Sequence, residues 1–425
     1  MLLGFAALAL FLALQEGPDA PGRLAAPQQQ DARHARDIVL ALEHIDRREE
    51  RSGRLEGSIE EWNGLFRILA RSDPRLRAEA WVDDGALVLA ASVRLPPGPG
   101  PERLSLRARM PPFDGTPRLS SLRIGRLHLP PGAALRLAAA LLDRQFGQGS
   151  AEAVTSTLTG LWIDGDRVGF HLVLPPGTEG QVGRELLTGA HGRPLPGRDD
   201  VDDLIAELVR RVEDGTLQRR GSFLPWLQTA VDLAIDHADP EDPEVTLLAV
   251  FLALDRMCGS GALMRLLPEP DEAGGRRIRP PSGACRGSLR DRGDLRQHFV
   301  TAATIRLLSS RGVAVTAGEA KELSDLDSSG FDFTDIAGNN SGIRFVAQLA
   351  ATPPEGWPAI RALMQSEDDV MISLQGLPRA LSATAFRIRF GEVDSPAFRA
   401  VIDEIEARID RLPVHAGAPA GAQGG

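Results

Sequence analysis

Three short polar clusters in the C-terminal half carry residue types that do acid–base chemistry. The first is Asp294-Leu295-Arg296-Gln297-His298-Phe299. Asp294 and His298 stand one turn apart on a helix, so the carboxylate can orient the imidazole. The second is Lys321, Glu322 and Asp325, with Glu322 and Asp325 on one helical face. The third is Asp335 with Asn339, spaced i and i+4, while Gly338 and Gly342 repeat along a neighbouring line and let another helix come close. Residues 328–333 read as a turn between the last two clusters. Lys321 is the only lysine beside 47 arginines. Arginine replaces a solvated ammonium but not a compact one in a tight site, so this lysine marks a place where geometry matters.

Three helices meeting there would bring together an imidazole, two or three carboxylates, an amide and an ammonium. General acid–base catalysis uses these groups. A structural network uses them equally, provided every member is hydrogen-bonded. As a hydrolase, the chain would use His298 as general base, Asp294 to orient it, Glu322 or Asp335 as acid partner and Lys321 as electrostatic stabiliser. A metal reading competes. Asp325, Asp327 and Ser329, followed by Gly330, match the first half of a calcium loop. The twelfth position of that loop, which needs a bidentate Glu, is Ile336. Calcium is therefore the one cofactor the sequence suggests, through an incomplete ligand set. There is no Gly-x-Ser-x-Gly elbow, phosphate loop or His-Glu-x-x-His. Asn339-Asn340-Ser341 fits a glycosylation sequon, but inside an expected helix.

Residues 291–345 resemble the core of the YfiM-type lipoproteins and, more distantly, the VanZ-like membrane proteins. Both carry an Asp…His-Phe helix, then Lys-Glu or Glu, then Gly-Phe-Ser, then Asp-Leu…Asn/Asp…Gly. The matching residues are Asp294, His298, Phe299, Lys321, Glu322, Asp325, Gly330, Phe331, Asp335, Asn339 and Gly342. Asp332 stands where the pattern has serine, and Ile336 where it has leucine. The resemblance implies a cell-envelope location and no particular activity.

The elements that must position these groups can be read from periodicity. The expected class is α+β: an N-terminal curved antiparallel sheet with helices (31–180), then a mainly α-helical domain (198–413). Residues 32–51 and 58–71 read as helices, the second from Ile59, Trp62, Leu65, Ile68 and Leu69. Alternation then predicts strands near 77–82, 86–90, 104–109 and 119–129. Asp84-Gly85 is a hairpin signal. A second hairpin at Trp162-Ile163-Asp164-Gly165 echoes Trp81-Val82-Asp83-Asp84-Gly85 as a weak internal repeat, two units about 80 residues apart. Beyond 200 the pattern is helical. Val245 to Leu254 is apolar all round, as in a central buried helix. Residues 414–425 read as a disordered tail.

The apolar run 1–14 fits an export signal or a membrane anchor (1–20). Cys258 and Cys285 agree with export. A disulfide between them would close a loop of about 28 residues and contribute roughly 3 kcal/mol. Net charge is −10 with the arginines spread among acids, so no nucleic-acid footprint is expected. The expectation is a periplasmic protein, or one anchored in the inner membrane and facing the periplasm. It would be a non-catalytic binding or structural protein for an apolar ligand or an envelope partner, with the hydrolase as the alternative.

Overall fold

The computed structural model describes residues 21, 25–46, 50–95, 102–146, 150–174, 194–267, 278 and 280–415. The apolar run 1–14 and residues 416–425 of the tail lie outside the described residues. The chain divides into two compact units, one formed by residues up to 178 with 190–192, the other by 179–189 and 193–425. The class is α+β, with both sheets in the first unit and a mainly helical second unit.

In the first unit, α1 (Gln29–Asp46) leads into β1 (Ser52–Ser58) and α2 (Ile59–Ser72). Ser58 starts α2 through a capping box with Glu61. Arg67 of α2 grips the buried Asp31 of α1 through two nitrogens, at 3.0 and 2.8 Å. There follow β2 (Leu76–Asp83), β3 (Ala86–Arg94), β4 (Arg103–Met110), β5 (Phe113–Asp114), β6 (Ser121–Ile124) and β7 (Leu127–Leu129). After α3 (Pro131–Phe146) and α4 (Ser150–Thr157) come β8 (Leu158–Asp164) and β9 (Arg167–Val173). Asp84 and Gly85 both take positive φ, 47° and 65°, and close the β2–β3 hairpin.

Where the sequence suggested one curved sheet, the strands form two antiparallel sheets, ordered β1-β9-β8-β5 and β2-β3-β4-β6-β7. The two echoing hairpins therefore sit in different sheets. β1 is a strand the periodicity missed, since 51 was read as a helix end. It forms by pairing with β9, Leu55 opposite Phe170. The core gathers Ala80, Leu87, Phe113, Leu161 and Val168, with Trp62 and Phe66 of α2 packed against them. Trp62 meets Phe170 edge-on at 5.1 Å and donates from its indole nitrogen to the Val168 carbonyl at 3.1 Å. Side chains of α2 and of both sheets thus share one core.

The second unit is built on α5 (Arg198–Glu213), α6 (Leu224–Asp236), α7 (Pro243–Cys258), α8 (Gly293–Leu308), α9 (Arg311–Ser324), α10 (Phe333–Ala351), α11 (Trp357–Leu363), α12 (Glu367–Val370), α13 (Ala383–Phe390) and α14 (Pro396–Ile409). α7 is buried from Leu247 to Asp255 and packs against α5, α6 and α8. α8 and α10 lie against each other along their length. Gly342 makes that possible, because a Cβ there would fall 2.1 Å from the Phe299 carbonyl oxygen. Phe331, Phe333, Phe386, Phe390 and Phe398 form one aromatic cluster that anchors the start of α10.

Cys258 and Cys285 are joined, with their Cα atoms 5.1 Å apart. Buried Arg296 reinforces the bridge, donating to the carbonyls of Cys258 (2.8 Å), Cys285 (3.3 Å) and Gly287 (2.6 Å). Among the described residues, no helix is long and apolar enough to cross a membrane.

Candidate functional site

The site is positioned by three helix termini. Arg292 stands at the N-terminal boundary of α8 without capping it, and His298 lies within the second turn of that helix. Asp332 caps α10, its carboxylate accepting from the Thr334 N–H at 2.8 Å and the Thr334 hydroxyl at 2.5 Å. That fixes Asp335 in the first turn of α10 and Asn339 one turn later. Ser310 caps α9, accepting from Val313 at 3.3 Å, and this helix delivers Lys321 and Glu322 in its last turn.

α10 holds the imidazole at both ends. His298 Nε2 lies 3.1 Å from Asp335 Oδ2, and His298 Nδ1 lies 3.0 Å from Asn339 Oδ1. Nε2 meets a carboxylate oxygen and so carries a proton, while Nδ1 meets the side-chain amide of Asn339. Burial alone would pull His298 down. Its bond to Asp335 and the surrounding carboxylates outweigh burial and hold it above its ordinary value. Burial would likewise push Asp335 up, but the imidazole and Arg292 keep it low. Arg292 bonds Asp335 Oδ1 at 2.6 Å and Asp294 Oδ2 at 2.6 Å, and also donates to the Thr334 hydroxyl.

The other half of the cluster centres on Glu322, which is 1% exposed. Its Oε1 meets Lys321 Nζ at 3.0 Å, and its Oε2 accepts from the Asp332 N–H at 3.2 Å. Burial keeps Glu322 above the usual carboxyl range despite Lys321. Lys321 also reaches Asp325 at 3.1 Å. Burial works against the ammonium, and Glu322 and Asp325 restore it and raise it. One ligand atom each from His298, Glu322 and Asp335 lies within 4.8 Å of the others, the spacing a metal ion would use. In the present arrangement, Lys321, Arg292 and the His298 ring face those carboxylates instead.

Asp294 does not orient His298. It folds back onto Arg292, which holds it down at about 2, and it accepts from its neighbour's N–H at the helix start. The orienting carboxylate is Asp335, from another helix. The half calcium loop is also occupied otherwise: Asp325 pairs with Lys321, while Asp327 and Ser329 stand in an exposed turn. Ile336, at the twelfth position, is buried in the core and offers no oxygen. The sequon's acceptor, Asn339, is buried against His298, and its neighbour Asn340 is buried too and donates to Glu406 at 2.8 Å.

Beside the cluster lies a cavity of about 230 Å³, lined by His298, Thr301, Ala302 and Ile305 of α8, Ala314, Ala317, Gly318 and Lys321 of α9, Asn339, Gln297 and Ser260. On both helices the lining residues recur at i, i+3/i+4 and i+7, so two stripes face each other. Gly318 brings α9 against the Asn339 amide, since a Cβ there would lie 2.5 Å from Asn339 Nδ2. That Nδ2 is buried with no hydrogen-bond partner. Sequence reasoning missed Arg292, Thr334 and these walls. The repeated small residues on α8 and α9 were the signal that marked them. Comparison of the chain with known protein families, curated proteins and solved structures finds no match.

Proposed function

We propose that this is a non-catalytic binding protein of the cell envelope, and that its helical unit holds a small ligand in the cavity between α8, α9 and α10. The observation that carries the reading is the state of His298. A general base needs a free nitrogen within reach of the proton it takes. Both nitrogens of this imidazole are engaged by Asp335 and Asn339, beside a cavity whose walls are mostly small and apolar. The polar cluster then serves as a rigid, hydrogen-bonded floor.

The envelope location rests on the apolar run 1–14, on the resemblance of 291–345 to the YfiM-type lipoproteins, and on the disulfide. Such a bridge persists in oxidising compartments. Native mass spectrometry of the full chain, purified without detergent exchange from an envelope fraction, tests the reading. A bound small molecule released by denaturation is the expected result. Turnover of ester, amide or phosphoester substrates that His298→Ala abolishes would replace it with the hydrolase.

A further inference from the structure

Away from the His298 cluster, the helical unit opens a cleft of about 520 Å³ where the end of α14 meets the segment after α12. Three arginines line it, Arg290, Arg408 and Arg411, against a single carboxylate, Asp368. The chain as a whole carries a net charge of −10, so the cleft is a local reversal of sign. A helix C-terminus favours a basic residue on its own account. Here Arg408 and Arg411 both stand at the end of α14, and Arg290 joins them from the turn ahead of α8.

Two of the three build the cleft. Arg290 holds the α12 segment, donating to the Asp368 carboxylate and the Met371 carbonyl, while its backbone N–H meets Glu367 at 2.7 Å. It does so from a left-handed backbone, φ 53°, which a non-glycine residue adopts at a cost. Arg408 ties the other wall, donating to the carbonyls of Ser373 at 2.8 Å and Gln375 at 2.9 Å, with Glu404 on its second terminal nitrogen. These bonds fix two positive charges in place. Arg411 is different: its side chain is exposed and, among the described residues, makes no hydrogen bond or ion pair. The exposed side-chain amide of Gln375, in the same cleft, is likewise unengaged.

We infer that this cleft binds a small organic dianion, a phosphate monoester or a dicarboxylate, its oxyanion on Arg411 and Gln375 and its body over the buried Met371, Ile372 and Leu412. The planar guanidinium meets either head through two parallel bonds. Three guanidiniums against one carboxylate leave a surplus of two positive charges in the lining, which a dianion matches. The volume lies within the range of small-molecule pockets. The cleft shares no lining residue with the cavity beside His298, so the two readings stand or fall separately.

Calorimetric titration of the full chain at low salt with glycerol 3-phosphate, malate and glycerol tests it, alongside Arg411→Ala and Gln375→Ala. Both substitutions remove exposed, unbonded side chains, so thermal unfolding should not move. One or both dianions are expected to bind, more weakly as salt rises, while glycerol gives no signal. Arg411→Ala should weaken that binding by about tenfold or more, and Gln375→Ala by about threefold. Preference for glycerol 3-phosphate identifies a phosphate head and preference for malate a carboxylate one, and either supports the site. Dianion binding that Arg411→Ala leaves unchanged, glycerol binding as tightly as its phosphate, or no binding of either dianion overturns the inference.

Discussion

Asp335→Asn is the substitution that reports most on how the cluster works. Asp335 spends one oxygen on Arg292 at 2.6 Å and the other on His298 at 3.1 Å, and it is 8% exposed. Removing one member of a buried ion pair costs about 3–5 kcal/mol while the partner stays charged. Arg292 keeps Asp294 and Asp332 as company, and His298 can shed its proton, so the lower end applies at alkaline pH. The pH dependence follows from His298. Its folded value is raised above the ordinary 6.5, so its contribution is fully present below 6.5 and is lost as pH climbs through the folded value. The substitution removes that contribution. The stability gap between wild type and Asp335→Asn should therefore be larger at about pH 5.5 than at about pH 9, by about 1.4 kcal/mol for every tenfold by which folding tightens the hold of His298 on its proton. Urea unfolding measures it, followed through Trp226 and Trp357, both fully buried in the helical unit, with Trp62, Trp81 and Trp162 changed to phenylalanine. A gap below about 1 kcal/mol, or one independent of pH, would refute the reasoning.

Asp294→Asn, by contrast, touches a half-exposed carboxylate bound only to Arg292 and its own helix start, and should cost less than about 1 kcal/mol by the same assay. Gly342→Ala places a methyl 2.1 Å from the Phe299 carbonyl oxygen and should destabilise the helical unit by about 3 kcal/mol, read as a lower urea midpoint. Reducing Cys258–Cys285, or changing both to serine, should cost roughly 3 kcal/mol, and hydrogen exchange should locate the loosening at the α7 end and the first turns of α8, where Arg296 binds the bridge carbonyls.

Much of the fold was legible because its signals are local. Asp84-Gly85 announced a hairpin, and the spacing of Ile59, Trp62, Leu65 and Ile68 announced α2. β1 was hidden because Gly53, Arg54, Glu56 and Gly57 look like a loop. What makes Ser52–Ser58 a strand is β9, which lies more than 100 residues further on. The division of the strands into two sheets is equally non-local. The short β5, with Phe113 opposite Leu161, joins the other sheet while β4 pairs with β6.

The candidate site was legible in its membership but not in its wiring. His298, Lys321, Glu322, Asp335 and Asn339 do converge. The i,i+4 rule named Asp294 as the partner of His298, because sequence spacing sees neighbours on one helix only. The true partners arrive on α10, brought close by Gly342 and Gly338. Arg292, two residues before Asp294, then draws that carboxylate away.

The central claim is that His298 is a fixed imidazolium held between Asp335 and Asn339, not a base in waiting. Nitrogen-15 spectra of the imidazole ring at neutral pH test it directly. The expected result is a proton on both Nδ1 and Nε2, with through-hydrogen-bond couplings to Asn339 and Asp335. A neutral ring with one bare nitrogen facing the cavity would contradict the account and return His298 to the role of general base.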